Sequence, residues 1–198
     1  MNVPLRIVGR FAPEFLKKKE LEKLLAVVAA AFKSDIPSIT SLSFDESLQT
    51  FADKTEREAA RAVADGRDLA AIKNELYRGA FEIGERLRNV FRVSTIPDAM
   101  AVGRVIYRHL GITFHGTQSG NVVIPQCYFS RLYSSSTCRI ISSLDEGMMA
   151  GLSGGKAFVF SQRMTEGFTT CRGHFILKDG TIEKSDRGRY RCWWCNRG

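Results

Sequence analysis

A chain of 198 residues with 44% hydrophobic and 25% charged residues suits one domain, or one domain with a helical extension, that buries a core without disulfides. The formal charge of +8 comes from 29 Lys and Arg against 21 Asp and Glu, but the cations stand among acids, as in KTEREAAR and EIGERLRNVFR, a solvated helix surface rather than a phosphate track. The apolar run Leu24 to Phe32 is too short for a membrane span and follows too long a mixed-charge stretch for a signal peptide; the chain reads as cytoplasmic, where cysteines are thiols, ligands or packing groups rather than a disulfide frame.

Pro13 and Glu14 suit a first helical turn, and Leu21, Leu24, Val28 and Phe32 then recur at helical spacing to about Lys33. Ser43 with Glu46 three residues on forms a capping box that opens a charged helix toward Ala64, and Asp65-Gly66 breaks it. From Asp68, the positions Leu69, Ile72, Leu76, Ala80, Ile83, Leu87 and Val90 step by three or four, the clearest amphipathic helix of the chain. Pro97 starts a fourth helix that runs to Leu110, with Gly111 as its stop.

The texture then changes to short β-branched or aromatic runs, ITFHG, NVVIPQ, KAFVFSQR and CRGHFILK, separated by glycine-rich turns. Between the second and third lies SSSTCRIISSLDEGMMAGLSGG, whose Ser/Thr cluster caps a helix carrying Cys138, Ile141, Asp145, Met148 and Leu152 on one face. Gly151, Gly154 and Gly155 match no phosphate-loop fingerprint and are read as turn residues, and Asp179-Gly180 as a hairpin turn. The expected fold class is α+β, with N-terminal helices packed against a small antiparallel sheet and one further helix.

Three residues stand out for chemistry. Cys127 follows Pro125 and Gln126 at a strand end, where a side chain can face a cavity, and Cys138 opens a helix; a helix N-terminus or a nearby Arg131, Arg139 or Arg163 would lower a thiol pKa. Asp145 lies two turns from Cys138 on an apolar face, where an acid is either paired with an arginine or used as a base. His109 is read as a cationic group at a helix C-terminus, His115 has no motif around it, and no G-x-S-x-G elbow supports a serine triad.

The C-terminal stretch holds Cys171, His174, Cys192 and Cys195, a C-x2-H and C-x2-C spacing that suits a zinc ribbon. With Lys178, Lys184, Arg187, Arg189, Arg191, Trp193 and Trp194 nearby, such a ribbon would present a nucleic-acid surface. On a regular strand, however, Cys171, Gly173 and Phe175 share one face while Arg172 and His174 share the other, so the expectation is a buried Cys171, no ribbon and no cofactor.

The run from AVGRVIYRHLGITF to TTCRGHF, with Cys127, Cys138, Gly167 and Cys171 at its marker positions, resembles the L-2-amino-thiazoline-4-carboxylic acid hydrolase family. In layout it is also similar to the vinyl-4-reductase-type small-molecule-binding domain of hydrocarbon sensors. The sensors hold zinc with a helix Cys, a Glu and Cys near the last-but-one strand, and a Cys on the final strand. Cys138 and Cys171 fit the first and last, while the middle stretch carries Phe160, Gln162, Arg163 and Glu166 with no Cys. The resemblance implies residues 1–95 as a helical part, 96–183 as a hydrolase-like core and 184–198 as a basic Cys/Trp tail. It further implies an enzyme opening a small polar heterocycle at a C–N or C–S bond. Its site would hold Cys127, Cys138 and Asp145 as catalytic groups, with Arg163 for a substrate carboxylate and Met148 in the pocket wall. The alternatives are a non-catalytic sensor-type domain with an apolar pocket of Phe158, Phe160, Met148, Met149 and Phe168, and the zinc-ribbon nucleic-acid binder. A small-molecule ligand is the expected partner, and membrane and nucleic acid are not.

Overall fold

The computed structural model describes residues 13–176. Four helices come first, α1 (Glu14–Phe32), α2 (Phe44–Ala64), α3 (Leu69–Phe91) and α4 (Ile96–His109), then strands β1 (Ile112–Gly116) and β2 (Asn121–Cys127). After a 3-10 turn at Tyr128–Arg131 come α5 (Ser135–Leu152), β3 (Phe158–Gln162), a second 3-10 turn at Met164–Glu166, and β4 (Cys171–Phe175). The architecture is α+β, and the hairpin read at Asp179-Gly180 lies outside the described residues. No helix among the described residues is long and apolar enough to cross a membrane.

Helices α2 to α5 begin where side chains satisfy their free amides, whereas α1 follows Pro13 with no side-chain cap. The Glu46 amide donates to Ser43 Oγ and the Ser43 amide to Glu46 Oε2 at 2.7 Å, the capping box read from the sequence. Thr95 and Asp98 form a second box at the head of α4, and Asp68 and Ser134 cap α3 and α5 by accepting from Ala71 and Thr137 amides. Each such cap is worth about 1 kcal/mol.

The sheet is antiparallel throughout, in the order β1-β2-β4-β3. Alternation on β4 places Cys171, Gly173 and Phe175 in the core, with Arg172 exposed and His174 half-buried on the other face. Cys171 pairs with Ile124 and Gly173 with Val122, so the inner face joins β2 in one apolar layer. The core is one continuous cluster that takes in Leu25 and Phe32 of α1, Phe51 of α2, Leu76 of α3, Met149 of α5, and Val122 and Phe158 of the sheet. The N-terminal helices and the α+β part thus share their apolar interior.

α5 lies against α3 with almost no side chain between them. A Cβ at Gly147 would run into the Tyr77 carbonyl, one at Gly151 into the Phe81 carbonyl, and one at Gly84 into the Met148 carbonyl. Gly151 is therefore a helix-packing residue inside α5 and not the turn residue read from the sequence; a turn reading fits Gly154 and Gly155, which have φ of +77° and +92°. Along α3, Ile72, Leu76, Ala80 and Ile83 are buried as their spacing implies, whereas Val90, past the end of that contact, is 65% exposed.

Candidate functional site

The face of α5 away from α3 looks onto a cavity of about 100 Å³. Helical spacing brings Cys138, Ile141, Ser142, Asp145 and Met148 of α5 to its wall. β2 contributes Cys127 at its last residue, β4 contributes Cys171 at its first, and the segment after β3 contributes Arg163, Met164 and Thr165. The far side is closed by Leu24 of α1, Phe51 of α2 and Tyr107 of α4.

The loop between β2 and α5 forms one rim and is tied to α2. The Tyr133 hydroxyl hydrogen-bonds Thr55 Oγ1, the Tyr128 hydroxyl donates to Gln49 Oε1 at 2.6 Å, and the Ser134 amide donates to Glu56. Phe129 stacks on Tyr133 and meets Phe51 edge-on. The cavity thus depends on the N-terminal helices for a wall.

Asp145 is the most perturbed carboxyl of the site. Burial pushes it up to about 7, the Tyr107 hydroxyl pulls the other way, and Glu146 and Arg163 add opposing charge effects. It makes no ion pair among the described residues. Tyr107, enclosed beside it, is held well above the ordinary phenol range by burial and by Asp145.

The thiols behave contrary to the sequence expectation. Burial pushes Cys127 up to about 12, although the Phe129 and Ser130 amides oppose it, and burial also raises Cys138 and Cys171. At Cys138, Thr165 and Arg163 pull downward without overcoming desolvation. All three are therefore held as neutral thiols, because the apolar wall disfavours a charge more than the α5 N-terminus favours it. The Cys171 sulfur accepts from the Met164 amide at 3.3 Å, which holds the segment after β3 against β4.

Arg163 lines the cavity with its guanidinium already engaged. Nε and Nη2 donate to Ser142 Oγ at 3.3 and 3.0 Å, Nη2 also reaches Glu146 at 3.4 Å, and Nη1 lies 3.8 Å from Glu166. The Phe160 ring covers it at 5.4 Å. Glu166 in turn takes Arg139 Nε at 2.7 Å from the exposed side. The arginine that the sequence offers to a substrate carboxylate thus already meets Ser142 and two glutamates.

Cys127, Cys138, Asp145, Met148 and Arg163 all line this one cavity. Of the apolar set considered for a sensor-type pocket, Phe160 and Met148 line it too, Phe158 and Met149 are packed into the core, and Phe168 is 49% exposed. Cys171 and His174 occupy opposite faces of β4 and do not converge, Cys192 and Cys195 lie outside the described residues, and no group of three or more potential ligands among the described residues is arranged to hold a metal. His109 ends α4, but burial and the charges of Lys17 and Arg108 lower its pKa, so the cationic role read for it is not favoured. Tyr107, Ser142 and Thr165 were not anticipated. Ser142 shares the face of Cys138 and Asp145 by its spacing, whereas Tyr107 and Thr165 are delivered by long-range packing with no local signal. The Thr165 hydroxyl oxygen is buried and makes no well-formed hydrogen bond.

No family profile matches this chain, and no curated protein or solved structure matches it.

Proposed function

We propose that the chain is a small-molecule hydrolase that opens a compact heterocycle at a C–N or C–S bond, with Asp145 as general base. The observation that carries the reading is a carboxyl with a pKa of about 7, without an ion pair among the described residues, on the wall of a largely apolar cavity. A base with a pKa near the working pH combines a large ionised fraction with a strong pull on a proton. In the reaction, a water oxygen bonds to the amidine-type ring carbon while the Asp145 carboxylate takes one of its protons and the C=N π pair moves onto nitrogen, giving a tetrahedral carbon. The tetrahedral centre then collapses to a urea- or thiocarbamate-type C=O as the ring C–S or C–N bond breaks, the hydroxyl proton passes to nitrogen, and the departing sulfur or nitrogen takes the other proton back from Asp145. Water is the nucleophile here because the neutral thiols at Cys127 and Cys138 are poor ones; their place is to shape the wall. Neutral thiols and a compact pocket suit a cytoplasmic setting.

The test is ring opening followed by NMR on 2-amino-thiazoline-4-carboxylate and on 2-amino-2-thiazoline. Turnover should fall by about 10²- to 10⁴-fold in Asp145→Asn, the usual weight of a general base, and survive in Cys138→Ser. Absence of ring opening, or an unaffected Asp145→Asn, overturns the reading. The apolar wall and the protonated thiols favour a second reading, a non-catalytic binding domain. Under it, a ligand would raise the melting temperature by mass action without being consumed.

A further inference from the structure

We infer that the cavity takes a compact organic cation, such as an amidinium, a guanidinium or a protonated amine, with Asp145 as its counter-ion. The inference rests on the cavity being the functional site, and it concerns ligand charge rather than bond chemistry.

The pairing of charges at the cavity leads to it. From the wall, Arg163 leads into an open chain of contacts with two glutamates and a second guanidinium: Arg139 Nε to Glu166 at 2.7 Å, Arg163 Nη1 to Glu166 at 3.8 Å, and Arg163 Nη2 to Glu146 at 3.4 Å, with Lys73 adding its charge at Glu146. Asp145 stands outside this chain with no ion pair among the described residues. Of the two charged groups on the wall, Arg163 is thus held by the glutamates behind it, while Asp145 is left without an ion pair among the described residues. An anionic ligand would compete for Arg163 with both glutamates, and it would sit beside Asp145. A cation displaces no guanidinium, because Asp145 carries the Tyr107 hydroxyl and no ion pair among the described residues.

The rest of the wall agrees with this. Phe51, Tyr107, Phe129, Tyr133 and Phe160 surround the cavity, and aromatic faces attract cations and repel anions through their quadrupoles. The volume of about 100 Å³ is of the order of the roughly 150 Å³ cavity known to admit benzene, so the cation is a single ring or smaller. Burial raises Asp145 toward neutrality, and an adjacent positive charge would offset that cost.

Benzamidinium, benzamide and benzoate are near-isosteres of charge +1, 0 and −1, and none has a ring bond that water can open. Calorimetric titration of each into the full chain should give benzamidinium at least about tenfold tighter than benzamide, with benzoate weakest. In Asp145→Asn, the advantage of benzamidinium over benzamide should shrink to less than about twofold, since Asp145 supplies the pairing charge. Binding is located independently in the wild-type chain by NOEs from the benzamidinium ring to the Ile141 and Met148 methyls, a readout that remains if Asp145→Asn does not fold. Equal affinity for benzamidinium and benzamide, tighter benzoate, binding of none of the three, missing NOEs from a bound ring, or a cation preference that survives Asp145→Asn would each overturn the inference. Benzamidinium binding without heterocycle ring opening upholds the inference and sinks the hydrolase reading. Ring opening with no preference for cations does the reverse.

Discussion

The two faces of α5 solve opposite problems. Toward α3, Gly147 and Gly151 remove side chains so that the backbones nearly touch, and Gly84 does the same from the other helix. Toward the sheet, Cys138, Ile141, Ser142, Asp145 and Met148 stand out far enough to leave a cavity rather than fill it. One face is close-packed at three glycines and the other leaves a gap. The rigidity of the first lets the second hold a raised carboxyl in an apolar wall, because a helix free to shift would collapse onto the gap.

The largest break in this contrast is a methyl on the closed face. Gly147→Ala or Gly151→Ala puts a Cβ into a backbone carbonyl that cannot move away alone. Overpacking of this kind outweighs the gain of about 1 kcal/mol from helix propensity and should cost about 3 kcal/mol net. Each variant should therefore melt about 6 to 12 °C lower, read by circular dichroism, at roughly 2 to 4 °C per kcal/mol for a domain of this size.

On the open face, Asp145→Asn should act in the opposite sense and only above acid pH. The Asp145 carboxyl is raised from 3.8 to about 7 in the folded chain, so below about 4 it is protonated whether folded or unfolded and contributes nothing. Between 4 and 7 the unfolded chain ionises while the folded one keeps its proton, and stability falls as pH rises; above 7 the loss is complete. At about 1.4 kcal/mol per pKa unit, discounted for the side open to the cavity, the variant should gain about 2 kcal/mol over wild type at pH 8 and nothing at pH 4. Urea unfolding at the two pH values checks it. Tyr107, Glu146 and Arg163, which act on Asp145, are the same in both chains.

Two smaller effects sharpen the contrast. Tyr133→Phe removes the hydrogen bond to Thr55 that ties the cavity rim to α2. Thr55 Oγ1 still donates to the carbonyls of its own helix, so the loss should be about 1 kcal/mol by urea unfolding. Gly103→Ala, on α4, places its Cβ 3.4 Å from Met149 Sδ and Phe114 Cζ, an ordinary contact. There helix propensity prevails, and a gain of about 0.5 kcal/mol should appear as a slightly raised melting temperature. The same substitution thus changes sign between helix interfaces, and the distance to the facing atoms decides it.

The open face was legible in the sequence and the closed face was not. Cys138, Asp145 and Met148 announce themselves by helical spacing, and the alternation of β4 separates Cys171 from His174 by sequence alone. A glycine carries no such mark. Gly151 looks like a stop because nothing local says that the Phe81 carbonyl will lie where its side chain would be. The charge state of the site was hidden for a related reason: Glu146 and Glu166 reach Arg163 only after β3 has folded across α5, and the raised Cys127 pKa follows from walls supplied by distant helices. Local pattern reports which way a residue points, and only packing reports what it meets.

The strand order β1-β2-β4-β3 also has a consequence for how the chain is made. β4 is the last of the described strands to be synthesised, yet it sits between β2 and β3 and bonds to both. Until Phe175 has emerged, β2 offers a bare edge and β3 has no partner, so a growing chain carries an unfinished sheet beside helices that are already complete. A chain stopped short of Cys171 would leave β2 and β3 without the strand that joins them, a form prone to pairing with other copies.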